Sequence, residues 1–462
     1  MTYHLAIDIG ASSGRHILGW VEDGRMHLKE VYRFENRLAE KNGHRCWEMD
    51  RLWQNVLAGL KACKDAGCTP ETVGIDTWAV DFVLLDAAGE ILGDTVAYRD
   101  SRTEGVRQAL EPVLPFAEHY ARTGIQYQPF NTAYQLAAAK TFLMVPDYLN
   151  YKLTGVAANE YTNASTTALV GAASRDWDDE LIARLGLPRG IFQSICQPGT
   201  VLGRLTPEVQ AEVGFDCTVV LPATHDTGSA WLAVPARDDR AVYLSSGTWS
   251  LLGVENTVPI TSTASAAANF TNEGGYGGTY RYLKNIMGLW MIQSVRRELG
   301  EHAPNGTRPA FPELIAAAKE ASGYPGLVNA DDDRFLAPNS MIGEITAACA
   351  EAGYPAPATT GEVMQVIYNS LADDYRRAIA ALQSLTGKTY ESVNIVGGGS
   401  QDGYLNQMTA NATGLPVYAG PTEGTALGNL IVQFIAAGEY ADLQAARDAI
   451  KQSFTIQEVL TQ

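Results

Sequence analysis

The chain reads as an α/β protein of two domains, and three observations carry that reading. Its 462 residues exceed what one compact core usually accommodates. Short apolar strand-like runs alternate with stretches whose apolar residues recur at helical spacing. One strand–turn–strand unit occurs twice: HLAIDIGASSGRHILGWVE at the start, and AVYLSSGTWSLLGVE at 241–255. The repeat predicts an internal duplication, with domains at 1–235 and 236–462.

Taken in order, HLAIDIG and HILGWVEDGRMHLKEVYRF alternate as strands, with a hairpin turn at Asp23-Gly24. Residues 50–65, DRLWQNVLAGLKACKD, predict a helix, and TVGIDTWAVDFVLLD returns to strand with Ala87-Ala88-Gly89 as its turn. Residues 104–215 read as mainly helical. In VVLPATHDTGSAWLAV, at 219–234, a strand ends at Pro222 and a helix begins at His225-Asp226-Thr227-Gly228, with Asp226 near its N-cap. The tract from the second hairpin to LKNIMGLW is rich in Asn, Gly and Tyr, which suits polyol recognition and equally a wet loop. The helical pattern MQVIYNSLADDYRRAIAALQSLTG leads to a third glycine turn, NIVGGGSQDG, at 394–403.

A net charge of −18 argues against nucleic acid or an anionic membrane as partner, so a polyanionic ligand must be held by local features. The six cysteines show no metal-ligand spacing and are expected as free thiols. Neither a leader-like start nor a run of eighteen apolar residues is present, and a cytoplasmic protein is expected.

Asp8 sits at the end of an apolar strand, where an acid costs desolvation unless its charge is offset. The glycine turn beside it has Arg15 where a phosphate-binding P-loop has lysine. Three glycine turns in two half-chains suggest a nucleotide gripped by backbone N–H groups, with magnesium supplying positive charge. Asp8 is the candidate ligand for that ion; a buried acid bonded to turn N–H groups is the alternative. Phosphoryl transfer to a hydroxyl also needs a carboxylate to accept the alcohol proton. Asp226 is the candidate, against a plain helix cap. His225 reads as a hydrogen-bonding partner of the substrate. Asp76 and Asp81 fall on opposite faces of one strand and are set aside as a catalytic pair.

In this order, Asp8 with the Gly10–Arg15 turn, His225-Asp226-Thr227, Ser245-Ser246-Gly247-Thr248 and Gly397-Gly398-Gly399-Ser400-Gln401-Asp402 resemble the FGGY carbohydrate kinases of the actin/hexokinase superfamily, almost end to end. AIDIGASSGR, GIDTWAVDFVLLD, AYRDSRT, LMVPDYLNYKLTG, EYTNASTTALV, SSGTWSLLG and FTNEGGYGGTYRYLKNIMGLWMIQ are similar to the branch that acts on L-rhamnulose. The resemblance implies two ribonuclease-H-like (actin-like ATPase) domains with the active site in the cleft between them. Residues 1–235 would bind sugar and phosphates, and 236–462 the nucleotide. It further implies ATP with Mg²⁺ and phosphorylation at O1 of the ketose. Ala11, Ser12, Ser13, Gly14 and Arg15 would contact the phosphates, Thr248 and Gln293 would join the nucleotide site, and Gly398 would face the adenosine. Asp226 becomes the general base, with Ala79, His225, Thr227 and Asn285 around the sugar.

Glycerol kinases carry an Arg-Glu pair where TWAVDF has Ala79-Val80, which disfavours glycerol. The L-rhamnulose branch commonly has glycine at Ala79, so fuculose, xylulose and ribulose stay open as alternatives. An actin-like ATPase without kinase activity is the reading from another class; it would need a peptide-binding domain after the ATPase, and the sequence stops at Gln462. The expected partners are a ketose and ATP, with neither nucleic acid nor membrane, and the expected state is a monomer, with a dimer left open.

Overall fold

The structure, a computed structural model, describes residues 1–128, 131–135, 141–236, 238–303, 306–336 and 338–462, except the side chain of Tyr134. The chain forms two compact units. The first comprises Met1–Pro235, Glu255–Leu283 and Gly424–Phe454, and the second Ala236–Val254, Lys284–Glu423 and Thr455–Gln462.

In the first unit, His4–Ile9 (β1), Ser13–Glu22 (β2), Arg25–Glu35 (β3), Thr72–Thr77 (β4), Val201–Arg204 (β5) and Thr218–Val220 (β6) make a sheet of order β5-β6-β4-β1-β2-β3. Every residue of β1 and β4 is buried, as fits parallel strands covered on both faces. Asp23 and Gly24 both take positive φ, the pair of left-handed residues that a two-residue hairpin needs.

In the second unit, Ala241–Ser246 (β7), Trp249–Asn256 (β8, whose last two residues belong to the first unit), Ser392–Val396 (β9), Val417–Ala419 (β10) and Gln457–Val459 (β11) run in the order β11-β10-β9-β7-β8. The strand directions repeat those of the first unit. β1 and β7 each pair antiparallel with the next strand in sequence and parallel with a later one. A further parallel strand and an antiparallel one follow outward in both sheets. The hairpin repeated in the sequence is thus repeated in its surroundings.

Three sequence expectations change. TVGIDTWAVDFVLLD is not one strand: β4 ends at Thr77, Val80 takes φ 66°, and Phe82–Leu85 pairs elsewhere, with Thr141–Met144. The break occurs because Asp81 is drawn aside to accept hydrogen bonds from both the Trp47 and Trp78 indoles. Asp76 and Asp81 are therefore not on opposite faces of a common strand. Residues 104–215 are less helical than their pattern suggests; KTFLMVPDYLNYKLTG divides into strand Thr141–Met144 and helix Val145–Thr154, with Pro146 in the first turn where its missing N–H costs nothing. Finally, part of the Asn/Gly/Tyr tract is core: Thr271–Gly274 pairs antiparallel with Tyr280–Leu283, and all eight residues are buried.

The Gly424–Ala436 helix ties the last segment of the first unit to its sheet. Asn429 Nδ2 donates to the Gly74 carbonyl at 3.1 Å and Gln433 Nε2 to the Leu5 carbonyl at 3.0 Å. The same helix packs against Asp226–Leu232 through Gly428, where an added Cβ would lie 1.7 Å from the Ser229 carbonyl oxygen. Backbone cannot yield as a side chain does, so Gly428→Ala must part the two helices. It should cost about 1–3 kcal/mol, the usual penalty of overpacking, read as a lower midpoint in thermal or urea unfolding; an unchanged midpoint would show that the helices are not in close contact.

Candidate active site

The acidic end of the central strands is built by register. Asp8 and Asp76 are direct neighbours across parallel β1 and β4, and Arg15 is the cross-strand partner of Asp8 on antiparallel β2. Arg15 Nε donates to Asp8 Oδ2 at 3.0 Å, so the charge that Asp8 needs in an apolar strand comes from the adjoining turn. Asp76 is fully buried, and Asn429 Nδ2 donates to its Oδ2 at 2.6 Å. Burial pushes the Asp76 carboxyl well above the ordinary range, the charges of Asp8 and Asp226 push the same way, and the Asn429 bond opposes them.

Asp226 is placed by what precedes it. The Thr77 N–H donates to the Thr224 carbonyl at 2.9 Å, and Thr77 forms an isolated parallel bridge with His225, so the chain enters its helix in line with the end of β4. Glu160, fully buried, accepts from the N–H and hydroxyl of both Thr162 and Thr224, which pins the residue before His225. The helix then begins at Asp226, with His225 as its N-cap residue but without a capping side-chain bond. Asp226 Oδ1 instead accepts the N–H and hydroxyl of Thr227, at 2.6 and 3.2 Å. Burial raises the Asp226 carboxyl above its ordinary value, His225 opposes this and Asp8 adds to it. With 30% of its side chain still exposed, Asp226 is an accessible carboxylate with heightened basicity, the state a general base requires.

His225 Nε2 lies 3.4 Å from Asp226 Oδ1, while Nδ1 lies 3.0 Å from Arg281 Nη2 and 3.3 Å from Glu273 Oε2. Ala79 is in the loop after β4, next to Val80, whose carbonyl accepts the Thr132 hydroxyl at 2.7 Å. Ala11 and Ser12 form the β1–β2 turn, and Ser13, Gly14 and Arg15 open β2.

Thr248, Asn285, Gln293 and Gly398 belong to the second unit. There the β7–β8 turn holds the start of the Trp290–His302 helix: the Leu289 N–H donates to Gly247 O and the Trp290 N–H to Thr248 O, at 3.0 and 3.1 Å. Gln293 lies one turn along that helix, its N–H on Leu289 O. Gly398 opens a short 3₁₀ turn after β9, where an added Cβ meets no atom within 4 Å, whereas at Gly399 it would lie 1.9 Å from Ser246 Oγ. Gly398 is therefore open to a ligand, and Gly399 serves close packing. Asn285 is a half-buried residue of the strand Tyr280–Met287.

Sequence reasoning set Asp76 aside together with Asp81, and it missed Asn429, Glu160, Glu273 and Arg281. The run EYTNASTTALV carried a signal for Glu160, an acid followed by hydroxyl residues, as does an N-cap. Nothing local marks the others.

An accessible carboxyl of raised basicity lies beside a buried acidic strand end, and transfer of a phosphoryl group to an alcohol calls for a carboxylate set by the phosphates. The models of the N- and C-terminal domains of the FGGY family of carbohydrate kinases match residues 3–233 and 242–437. The chain belongs to that family and is an ATP-dependent sugar kinase. It is 48% identical over 472 residues to a protein named Rhamnulokinase from Halalkalibacterium halodurans, covering 100% of this chain and 99% of that one. A protein of the same name from Oceanobacillus iheyensis is 47% identical over 464 residues, covering 98% and 97%. Among solved structures, ligand-bound xylulose kinase from Lactobacillus acidophilus matches with TM-score 0.81 at 16% identity, covering 100% of this chain and 94% of that one. Plasmodium falciparum glycerol kinase with ADP matches with TM-score 0.78 at 13% identity, covering 100% and 95%. These establish the two-domain actin/hexokinase-like fold.

Asp81 supports a measurement independent of turnover. Fully buried, it accepts from the Trp47 and Trp78 indoles and the Tyr98 N–H, and burial pushes its carboxyl up to about 6 despite those bonds. Below the ordinary value of 3.8 it is protonated folded or unfolded, and as pH rises to 6 the folded state loses stability relative to the unfolded. Asp81→Asn retains an accepting oxygen and has no charge to bury. Relative to the parent, it should gain stability between pH 4 and pH 7.5, by up to about 3 kcal/mol at 1.36 kcal/mol per unit. Melting curves of both proteins at those two pH values test this; a constant difference would mean that Asp81 does not titrate in this range.

Proposed function

We propose that the chain transfers the γ-phosphoryl group of ATP to the O1 hydroxyl of L-rhamnulose, giving L-rhamnulose 1-phosphate and ADP, in the cytoplasm. The observation that carries the mechanism is Asp226, an accessible carboxylate made more basic by burial. It takes the O1 proton as O1 bonds to the γ-phosphorus and the bond to the departing ADP oxygen breaks. The choice of sugar is supported by relatives named Rhamnulokinase that align over nearly the whole chain.

The other roles follow the resemblance. Ala11 to Arg15 bind phosphates, Thr248, Gln293 and Gly398 bind the nucleotide, and Ala79, His225, Thr227 and Asn285 surround the sugar. In sequence, residues 1–235 and 236–462 are the corresponding domains, although Glu255–Leu283 and Gly424–Phe454 pack into the first compact unit. Mg²⁺ suits the acidic strand end. Mg²⁺ usually takes one or two carboxylates and keeps several waters. Asp8 would hold it, since Asp8, Asp76 and Asp226 repel one another and a divalent cation relieves that repulsion. Bound there, the ion supplies positive charge to the phosphates.

An ADP-release assay across a panel of ketoses tests the substrate: L-rhamnulose should lead by kcat/KM, and clear preference for fuculose, xylulose or ribulose would keep the kinase and reject this sugar. In the same assay Asp226→Asn, which preserves shape and removes basicity, should lower kcat by ~10²–10⁴ with ATP binding intact. The parent's activity should fall on the acid side at a pH above the ordinary aspartate value of 3.8. Near-normal turnover by Asp226→Asn would reduce Asp226 to a helix-capping residue.

A further inference from the structure

Arg281 is 1% exposed, and its guanidinium faces three groups of the first unit. Nε donates to the Gly274 carbonyl at 2.8 Å, Nη1 lies 3.1 Å from Glu273 Oε2, and Nη2 lies 3.0 Å from His225 Nδ1. Glu273 and Arg281 are direct cross-strand partners, so the ion pair is fixed by the register of a buried hairpin and not by mobile side chains.

The chemistry of these donors decides the state of the histidine. A guanidinium has only N–H donors and keeps its proton in proteins. The atom it addresses on His225 must therefore offer a lone pair, which places the ring proton on Nε2. Glu273 Oε2, 3.3 Å from the same Nδ1, asks for the opposite state, since a carboxylate can only accept. The Arg281 contact is the shorter, and the Glu273 charge is already met by Arg281.

We propose that Arg281 and Glu273 are positioning residues that hold His225 as the neutral Nε2–H imidazole, directed at Asp226 and at the sugar hydroxyl. The inference deepens the reading of His225 as a sugar ligand and rests on it. An Nε2–H group can donate to the substrate while leaving Asp226 its basicity. An imidazolium 3.4 Å from Asp226 would instead stabilise the carboxylate and weaken it as a base. The charged and titratable groups around His225 are Asp226 on its own helix and Glu273 and Arg281 on the hairpin, with Glu160 and Tyr161 facing Arg281 from the neighbouring helix start.

The test begins with ¹⁵N NMR of the full chain labelled at histidine, without sugar or nucleotide, with the His225 signal assigned by its loss in His225→Asn. Between pH 6 and 8 the expected spectrum has Nε2 protonated and Nδ1 bare. An Nδ1–H tautomer or an imidazolium overturns the proposal. Because this spectrum needs no turnover, it stands or falls separately from the choice of ketose.

The second arm is kinetic. In Arg281→Met the Glu273 carboxylate should draw a proton onto Nδ1, and the imidazolium beside Asp226 should move the acid limb of kcat/KM for the ketose downward by about one pH unit, the scale of one nearby charge. KM for ATP should stay as in the parent. Adding Glu273→Gln removes that carboxylate and should return the limb to its parent position. An acid limb unmoved in Arg281→Met, or unrestored in the double variant, overturns the proposal. Should Arg281→Met fail to fold, the parent spectrum decides.

Discussion

Mutual repulsion among three carboxylates governs the first unit. Asp8, Asp76 and Asp226 come from two strands and a helix start; Asp8 raises the cost of ionising both of the others, and Asp226 raises that of Asp76. A protein can tolerate such a cluster only by giving each member a different environment. Asp8 receives a guanidinium from across the hairpin, Asp76 is enclosed beside an amide, and Asp226 keeps an opening to solvent. The same sequence letter thus supplies a carboxyl beside a guanidinium, one pushed toward its neutral form and one raised in basicity yet open to solvent.

The surrounding polar side chains make this division possible. The Thr72 hydroxyl donates to Gln433 Oε1 at 2.5 Å, Gln433 Nε2 to Asn429 Oδ1 at 2.7 Å, and Asn429 Nδ2 to Asp76 Oδ2 at 2.6 Å. His4 Nδ1 lies 2.6 Å from the same threonine oxygen. Each link satisfies a group that burial would otherwise penalise by about 1–3 kcal/mol, and the direction of donation runs from the sheet toward Asp76. Glu160 plays a corresponding part beside Asp226, converting a buried charge into a fixed point for the backbone at Thr224.

Features encoded over short distances were legible in the sequence. Asp23-Gly24 announces its hairpin because two successive positive φ angles demand such residues, and the start of the Asp226 helix follows from the change of pattern after Pro222. The repeated hairpin indicated the architecture for the same reason. What escaped depends on register or on distant chain. Nothing around Asp76 reveals that its partner is Asn429, and Glu273 and Arg281 sit in a tract whose composition suits water as well as core. The break after Thr77 was hidden in another way: an unbroken apolar run resembles one strand until the indoles of Trp47 and Trp78 claim Asp81.

The first unit is discontinuous, and this bears on its birth. At roughly 5–20 residues per second, a ribosome that has finished Pro235 needs on the order of ten to forty seconds to reach Gly424, where the last segment of this unit begins. Throughout that interval the nascent sheet lacks the helix that covers β1 and β4, and Asp76 lacks its amide. Apolar strands designed for burial on both faces must then wait half covered, the condition in which a growing chain most invites a chaperone. The link that makes the acidic strand end tolerable in the finished enzyme also keeps the first unit from completing its fold before Gly424–Phe454 has been made.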